Sequence, residues 1–202
     1  VAIQAGSRLT FGRRRTGARS YLAVAGALAV ALLWGSRSTH ISSCTGGYNG
    51  RALLAGDLLR VSVDQRERPH IGAMLAPGHR PVYVDSPTLR VISGPQHVNA
   101  AALSFLTATP YRLTSQSNRM GYRLEGHRLH EDPTPPRLSD GTAMGALQIP
   151  PDGSPILLMA DRPTTGGYPK IATVVSADLP QAAQLQPGDT LTFRTTTLGE
   201  AE

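Results

Sequence analysis

The sequence has one cysteine, Cys44, among 202 residues. A single thiol excludes an internal disulfide and a zinc site built on cysteines. It fits a reducing compartment, and the expected location is cytoplasmic. Large aromatics are scarce, with 3 Phe and 1 Trp, so the core must be aliphatic. Lysine is scarcer still: of 20 basic residues, 19 are arginine and Lys170 is the only lysine. Long apolar runs are lacking too. The run that imitates a membrane segment, residues 21–34 (YLAVAGALAVALLW), has 14 residues. As a helix it spans about 21 Å, short of the roughly 30 Å hydrocarbon core. No small-residue cleavage pattern precedes Gly35-Ser36-Arg37 cleanly. No membrane span is expected.

Motifs for several chemistries are also missing. The phosphate-binding loop G-x-x-x-x-G-K-[ST] does not occur; Gly166-Gly167-Tyr168-Pro169-Lys170-Ile171 fails it in spacing and in the final hydroxyl. No G-x-S-x-G elbow is present. His127-Arg128-Leu129-His130-Glu131-Asp132 gathers ligand-type side chains but matches no zinc-protease pattern, and it reads as a solvated loop. His40, His70, His79 and His97 are scattered, so no metal site is expected. The net charge is +6 and the isoelectric point near 10.1. The charge is uneven: residues 1–80 carry 11 basic and 3 acidic residues, net +8, and residues 81–202 carry 9 and 11, net −2. Arg13-Arg14-Arg15 is the only basic cluster, and no zinc-finger or helix-turn-helix spacing accompanies it, so no nucleic-acid partner is expected.

Glycine and proline, by contrast, are plentiful. Their 21 and 16 copies are spread along the chain, which implies many turns and a β-rich fold. There is no βα alternation and no fixed-period repeat, which argues against a doubly wound parallel sheet. Strands are read at residues 58–63, 88–93, 111–115, 119–124, 156–160, 171–175 and 191–197, and short helices at 99–106, with Asn99 as cap, and 178–185. Thr45 to Gly50 is a glycine-rich turn, and Pro150-Pro151-Asp152-Gly153 is a second turn. Asp64 to Arg80 is the linker candidate, and Glu131 to Asp140, with three prolines, is a long loop. The expected organisation is an N-terminal β subdomain with its linker over residues 1–80 and a barrel over residues 81–202.

One stretch, Gln148 to Ala177, concentrates chemistry. Two apolar runs, Ile156 to Ala160 and Ile171 to Val175, bound a loop with one acid, Asp161, two cations, Arg162 and Lys170, the hydroxyls of Thr164 and Thr165, and Gly166, Gly167 and Tyr168. Gly166 and Gly167 can take positive φ and offer backbone N–H groups to an anion. Arg162 supplies a planar fork and Lys170 a compact point charge. The loop therefore reads either as an oxyanion site or as an exposed hairpin loop with solvated cations. The loop is expected to be exposed on either reading, so replacing Lys170 should change stability little, by about 0.5 kcal/mol at most. Arg119 either pairs with Asp161 or holds an anionic substrate, and Asn118 caps its turn. Gln148 supplies an amide hydrogen bond. Cys44 has no cationic neighbour in sequence beyond His40 and is expected to be dispensable.

The segment GALQIPPDGSPILLMADRPTTGGYPKIATVVSADLPQAAQLQPGD closely resembles the C-terminal signature of one family. That family comprises allophanate hydrolase subunit 2, the C-type subunit of 5-oxoprolinase and the carboxyltransferase domain of urea amidolyase. Tyr21 to Gly26, Gly35 to Thr39 and Ser117 to Leu124 match the same family in the same order, and Ser139-Asp140-Gly141 resembles its S-E-G turn. Family members usually begin some 70 to 80 residues earlier, so the resemblance implies a truncated N-terminal β domain. It also implies a cyclophilin-like β-barrel in the C-terminal half and a buried strand at the start of the run 21–34. The implied activity is that of a hydrolase component in an ATP-dependent complex with A-type and B-type (subunit 1) partners. That complex opens the lactam of 5-oxoproline to glutamate, with ATP used by the complex rather than through a motif in this chain. On this reading Lys170, Arg162 and Asp161 are catalytic, and Thr165, Gly166, Gly167, Tyr168, Asn118, Arg119 and Gln148 bind the amide-type substrate. The alternatives are the carboxyltransferase component of a biotin-dependent urea carboxylase system, the one case in which biotin is implied, and a non-catalytic regulatory binding subunit. The chain lacks the glycine- and serine-rich stretch of amidase-signature enzymes, so it cannot cleave allophanate by that chemistry.

Overall fold

The computed structural model describes residues 2–62, 71–94, 100–129 and 138–201. The chain divides into two compact units, residues 1–9 with 20–80 and residues 10–19 with 81–202. The first unit holds two short antiparallel pairs. Strand β1 (Ala27–Leu28) pairs with β4 (Val61–Ser62), and β2 (Thr39–His40) pairs with β3 (Thr45–Gly46). Arg51 grips Asp57 with both terminal nitrogens, at 2.7 and 2.8 Å. No described apolar side chain of this unit is buried.

Two expectations change here. The strand read at residues 58–63 shortens to β4, with Val63 outside the described residues. The run 21–34 is neither a helix nor a buried strand: only β1 forms, and most of its side chains are exposed. Gly26 explains the break. Its φ of +89° is a conformation that side chains resist, and an added Cβ would lie 2.3 Å from the Ser62 carbonyl oxygen. The chain therefore turns in the middle of the run. Ala and Gly around it bury too little surface to form a core. No helix among the described residues is long and apolar enough to cross a membrane.

The second unit is mainly β. Its strands are β5 (Thr88–Ser93), β6 (Tyr111–Leu113), β7 (Gly121–Glu125), β8 (Asp140–Gly141), β9 (Ala146–Gln148), β10 (Ile156–Leu158), β11 (Thr165–Gly166), β12 (Lys170–Val174) and β13 (Thr190–Thr195). Seven of them close a barrel in the order β10-β7-β6-β13-β5-β12-β9, and β8 pairs with β11 as a separate ribbon. All the barrel pairings are antiparallel except β5 with β13. Closure leaves the barrel without an exposed edge. The apolar runs 156–160 and 171–175 are not neighbours, because β9 lies between them.

Alternation selects the inward residues. In β5, Leu89 and Val91 are buried while Thr88 and Ser93 are exposed. With Leu113, Leu124, Leu147, Leu157, Ile171 and Phe193 they form one cluster, each large side chain contributing roughly 1.5–3 kcal/mol by leaving water. Helix α1 (Ala100–Ala108) packs on β12 and β13 and adds Leu106. Its proposed cap, Asn99, lies outside the described residues, as do His70, His97, His130, Glu131, Asp132 and the first parts of the 64–80 linker and the 131–140 loop. Tyr111 is fully buried, donates its hydroxyl to the His127 carbonyl at 3.2 Å, and is pushed up to about 12 by burial. A 3-10 turn (Ser176–Asp178) leads into α2 (Leu179–Ala182), where Asp178 accepts from the Arg90 backbone at 2.7 Å and from its guanidinium. The last described element is α3 (Leu198–Ala201).

The segment 10–19 docks on the barrel. Arg14 donates to Asp189 at 3.2 and 2.9 Å and to Asp85 at 3.2 Å, and Gln184 Oε1 accepts from the backbone of Ala18 and Arg19, each at 2.9 Å.

Candidate functional site

The site is built where β9, β12 and the β8–β11 ribbon meet. Pro169 and Lys170 end the polar loop, and Lys170 is the first residue of β12, in register with Gln148 on β9. The register shifts between Lys170 and Ala172, a bulge of the kind that re-aims a side chain. The result is a buried ammonium, with Lys170 only 5% exposed. Its Nζ donates to the Gly141 carbonyl at 2.8 Å and to Asp140 Oδ2 at 3.1 Å. The hydrogen bond from Lys170, then the Gly141 backbone N–H and the ammonium charge, hold the Asp140 carboxyl below its ordinary range. A charge taken out of water needs such partners, and the two-residue strand β8 supplies them. Lys170 is thus not a solvated cation on an exposed loop, and the expectation that its replacement changes stability little is withdrawn.

Gln148 is buried at 4% exposure, and its Nε2 has no hydrogen-bond partner among the described residues. An orphaned buried donor is costly and uncommon. Its immediate cover is Gly166, where an added Cβ would lie 2.7 Å from Nε2. The glycine therefore serves contact and not conformation: neither Gly166 nor Gly167 has positive φ. The expected anion-binding concavity of consecutive N–H groups is not formed, because β11 is drawn into extended pairing with β8.

The other residues fall into a second group. Arg119 donates Nε to Asp161 Oδ2 at 2.7 Å and Nη2 to Oδ1 at 3.0 Å, a two-point grip, while the Asp161 N–H donates to the Arg119 carbonyl at 2.9 Å. Of the two readings for Arg119, the pair with Asp161 is the one formed. Asn118 Oδ1 accepts from Met120 N at 2.8 Å, so Asn118 caps its turn. Arg162 links the groups, its Nε donating to the Thr142 carbonyl at 3.3 Å just beyond β8. Thr165 and Gly167 are exposed, and Tyr168 is half exposed with no side-chain hydrogen bond among the described residues. Asp140, Gly141 and Thr142 are the contributors that loop reading missed; the only signal was an acid-glycine turn upstream of the sole lysine. The described residues contain no cluster of three or more metal-ligating side chains.

Residues 1–195 match the family described as carboxyltransferase domain, subdomain A and B. The chain is 39% identical over 203 residues to the C-type subunit of 5-oxoprolinase from Escherichia coli (strain K12), covering 100% of this chain and 64% of that protein. It is 32% identical to a putative urea carboxylase of Emericella nidulans, covering 98% of this chain and 17% of that protein. Among solved structures, that of TTHA0988 aligns with a TM-score of 0.75 at 34% identity, covering 90% of this chain and 34% of that one. The urea amidolyase of K. lactis aligns with a TM-score of 0.73 at 28% identity, covering 87% of this chain and 12% of that one. The chain thus spans less than two thirds of the length of these relatives.

Proposed function

We propose a function from the premise that the chain belongs to the carboxyltransferase domain, subdomain A and B, family. It acts as the C-type component of a 5-oxoprolinase-type hydrolase complex, with A-type and B-type subunits as partners and a small lactam as substrate. The likeness to the 5-oxoprolinase component of Escherichia coli supports the substrate class. The observation that carries the site is the buried Lys170 ammonium, fixed by Asp140 and Gly141 beside the orphaned Gln148 amide.

Opening a lactam builds negative charge on its carbonyl oxygen. A cation fixed in advance in a water-poor site stabilises that charge without reorganising during the reaction. Lys170 supplies the charge, and Gln148 Nε2 supplies a donor that a substrate oxygen satisfies once β11 lifts from it. Arg162 adds a second cation. Asp161 acts through Arg119, which it holds in one orientation. Thr165, Gly167 and Tyr168 form the outer rim. The ribbon does not fit as a phosphate cradle, since neither Gly166 nor Gly167 has positive φ and Gly166 abuts Gln148. No step through ATP is assigned to this chain.

A second reading is carboxyl transfer from carboxybiotin to urea, favoured by the likeness to urea amidolyase. Both reactions polarise an amide-type carbonyl, so one site serves either. The test is turnover of the assembled complex that contains this protein. Lys170→Arg and Lys170→Met should each lower kcat by on the order of 10²–10³-fold, the cost of losing one such donor. Unchanged turnover in Lys170→Met would remove the site from the reaction. The same variants assayed for biotin- and urea-dependent carboxyl transfer decide between the two substrates.

A further inference from the structure

The barrel carries a polar concavity whose lining includes none of Lys170, Asp140, Gly141 and Gln148. It is a groove of about 650 Å³ along the outer face of β6 and β7, reaching the Pro150–Gly153 turn. That volume lies within the roughly 300–1,000 Å³ typical of small-molecule sites. Three exposed guanidinium groups line it, from Arg112, Arg123 and Arg128, together with two exposed carboxylates, Glu125 and Asp152.

These charges do not neutralise one another. Arg112 and Glu125 stand directly opposite across the β6–β7 pair, where Cβ atoms are about 4.5–5.5 Å apart and opposite charges normally meet. Among the described residues the ion pairs are those of Arg14, Arg51, Arg90, Arg119 and Lys170, and none of them uses any of the five groove charges. Thr114, which also lines the groove, has a buried hydroxyl oxygen without a hydrogen-bond partner among the described residues. Opposite charges in register left open, with an unsatisfied hydroxyl between strands, describe a surface shaped for a ligand that supplies both signs. Guanidinium forks match carboxylates two-point, and three of them accommodate two carboxylates. The two acids match one ammonium.

We propose that this groove binds an acidic amino acid, an α-ammonium dicarboxylate, at a site distinct from the Lys170 centre. The inference rests on the groove alone and not on the reading of the Lys170 site.

The test is calorimetric titration of the 202-residue chain with L-glutamate and L-aspartate, and with glutarate and inorganic phosphate as controls. At least one amino acid should bind, with glutarate, which lacks the ammonium, about tenfold weaker or more. Arg112→Gln and Arg123→Gln should each weaken binding by about tenfold or more. Both positions are exposed, and matching circular dichroism and melting curves verify that the variants fold. Lys170→Met should leave the affinity unchanged. Absence of binding at millimolar concentration overturns the proposal, as does binding that survives both arginine variants or is lost in Lys170→Met. Phosphate or glutarate binding as tightly as the amino acids overturns the ligand class.

Discussion

At the scale of residues, Lys170 combines a charge with burial, which gives its substitutions an unusual order. Methionine has a similar length and no charge, and the Asp140 it would leave behind is mostly solvent-exposed and can remain hydrated. Removing one member of a buried pair typically costs about 3–5 kcal/mol, mostly through the charge left stranded, and here that charge is hydrated, so the loss in Lys170→Met should fall below that range. Arginine must fit a larger planar head into the same slot, and overpacking typically costs about 1–3 kcal/mol. We therefore expect Lys170→Arg to melt at a lower temperature than Lys170→Met, although arginine keeps the charge. The reverse order in thermal denaturation would show that charge outweighs shape there. Asp140 gives a matching pH expectation. Its folded value lies below the ordinary 3.8, so the ionised form is stabilised by folding. That contribution is complete above the ordinary value and is lost as pH falls through it toward the lower folded one. Asp140→Asn should make stability less sensitive to acid in that window, as read from melting temperatures between about pH 5 and pH 2.

Among elements, legibility followed periodicity. β5 is seen at the expected residues 88–93, because strict alternation with Leu89 and Val91 inward leaves no other register. The closed, mainly β barrel was likewise legible from turn spacing and family resemblance. The β8–β11 ribbon was not, since two residues per strand carry no period and Thr165-Gly166 has loop composition. The burial of Lys170 was hidden for the same reason: its partners lie 29 and 30 residues away in sequence, on a strand that tertiary pairing alone defines. The pairing of Arg119 with Asp161 was readable as one of two alternatives because a strand end brings complementary side chains together. The parallel β5–β13 contact has no local signature. Its neighbour β12 does have a sharp requirement at Gly94, just past β5. There an added Cβ would lie 2.0 Å from the Lys170 carbonyl oxygen, next to the hydrogen bond from Gly94 N to Ile171 O at 2.8 Å. Backbone cannot yield as a flexible side chain does. Gly94→Ala should destabilise the barrel by about 2 kcal/mol or more, beyond the roughly 1 kcal/mol typical of single substitutions. Chemical denaturation checks this, and a wild-type midpoint would contradict the packing described.

Across the whole molecule, the apolar surface is unevenly distributed. Every described residue of the hydrophobic core lies between Leu89 and Phe193, whereas Tyr21, Leu22, Trp34, Leu54 and Leu58 of the first unit are all more than half exposed. Trp34, the only tryptophan, is 93% exposed. Its emission should therefore sit at the fully hydrated maximum in the native chain and shift little on denaturation. A blue-shifted native spectrum would mean that Trp34 is covered in solution, by a second copy or by another part of the chain. Far-ultraviolet circular dichroism should still show cooperative melting, because the barrel core does not depend on that residue.

The docking of residues 10–19 on the barrel also bears on how the protein is made. Those residues leave the ribosome well before the side chains that fasten them, Gln184 and Asp189, which are separated from Ala18 and Arg14 by 166 and 175 positions. The fastening is thus among the last events of folding, since a contact of that separation forms only after the intervening chain has emerged and ordered. Until then Arg14 lacks its partners Asp85 and Asp189, and with the exposed Arg13 and Arg15 it forms an unneutralised cationic strip on the nascent chain, open to whatever anionic surface or chaperone reaches it first.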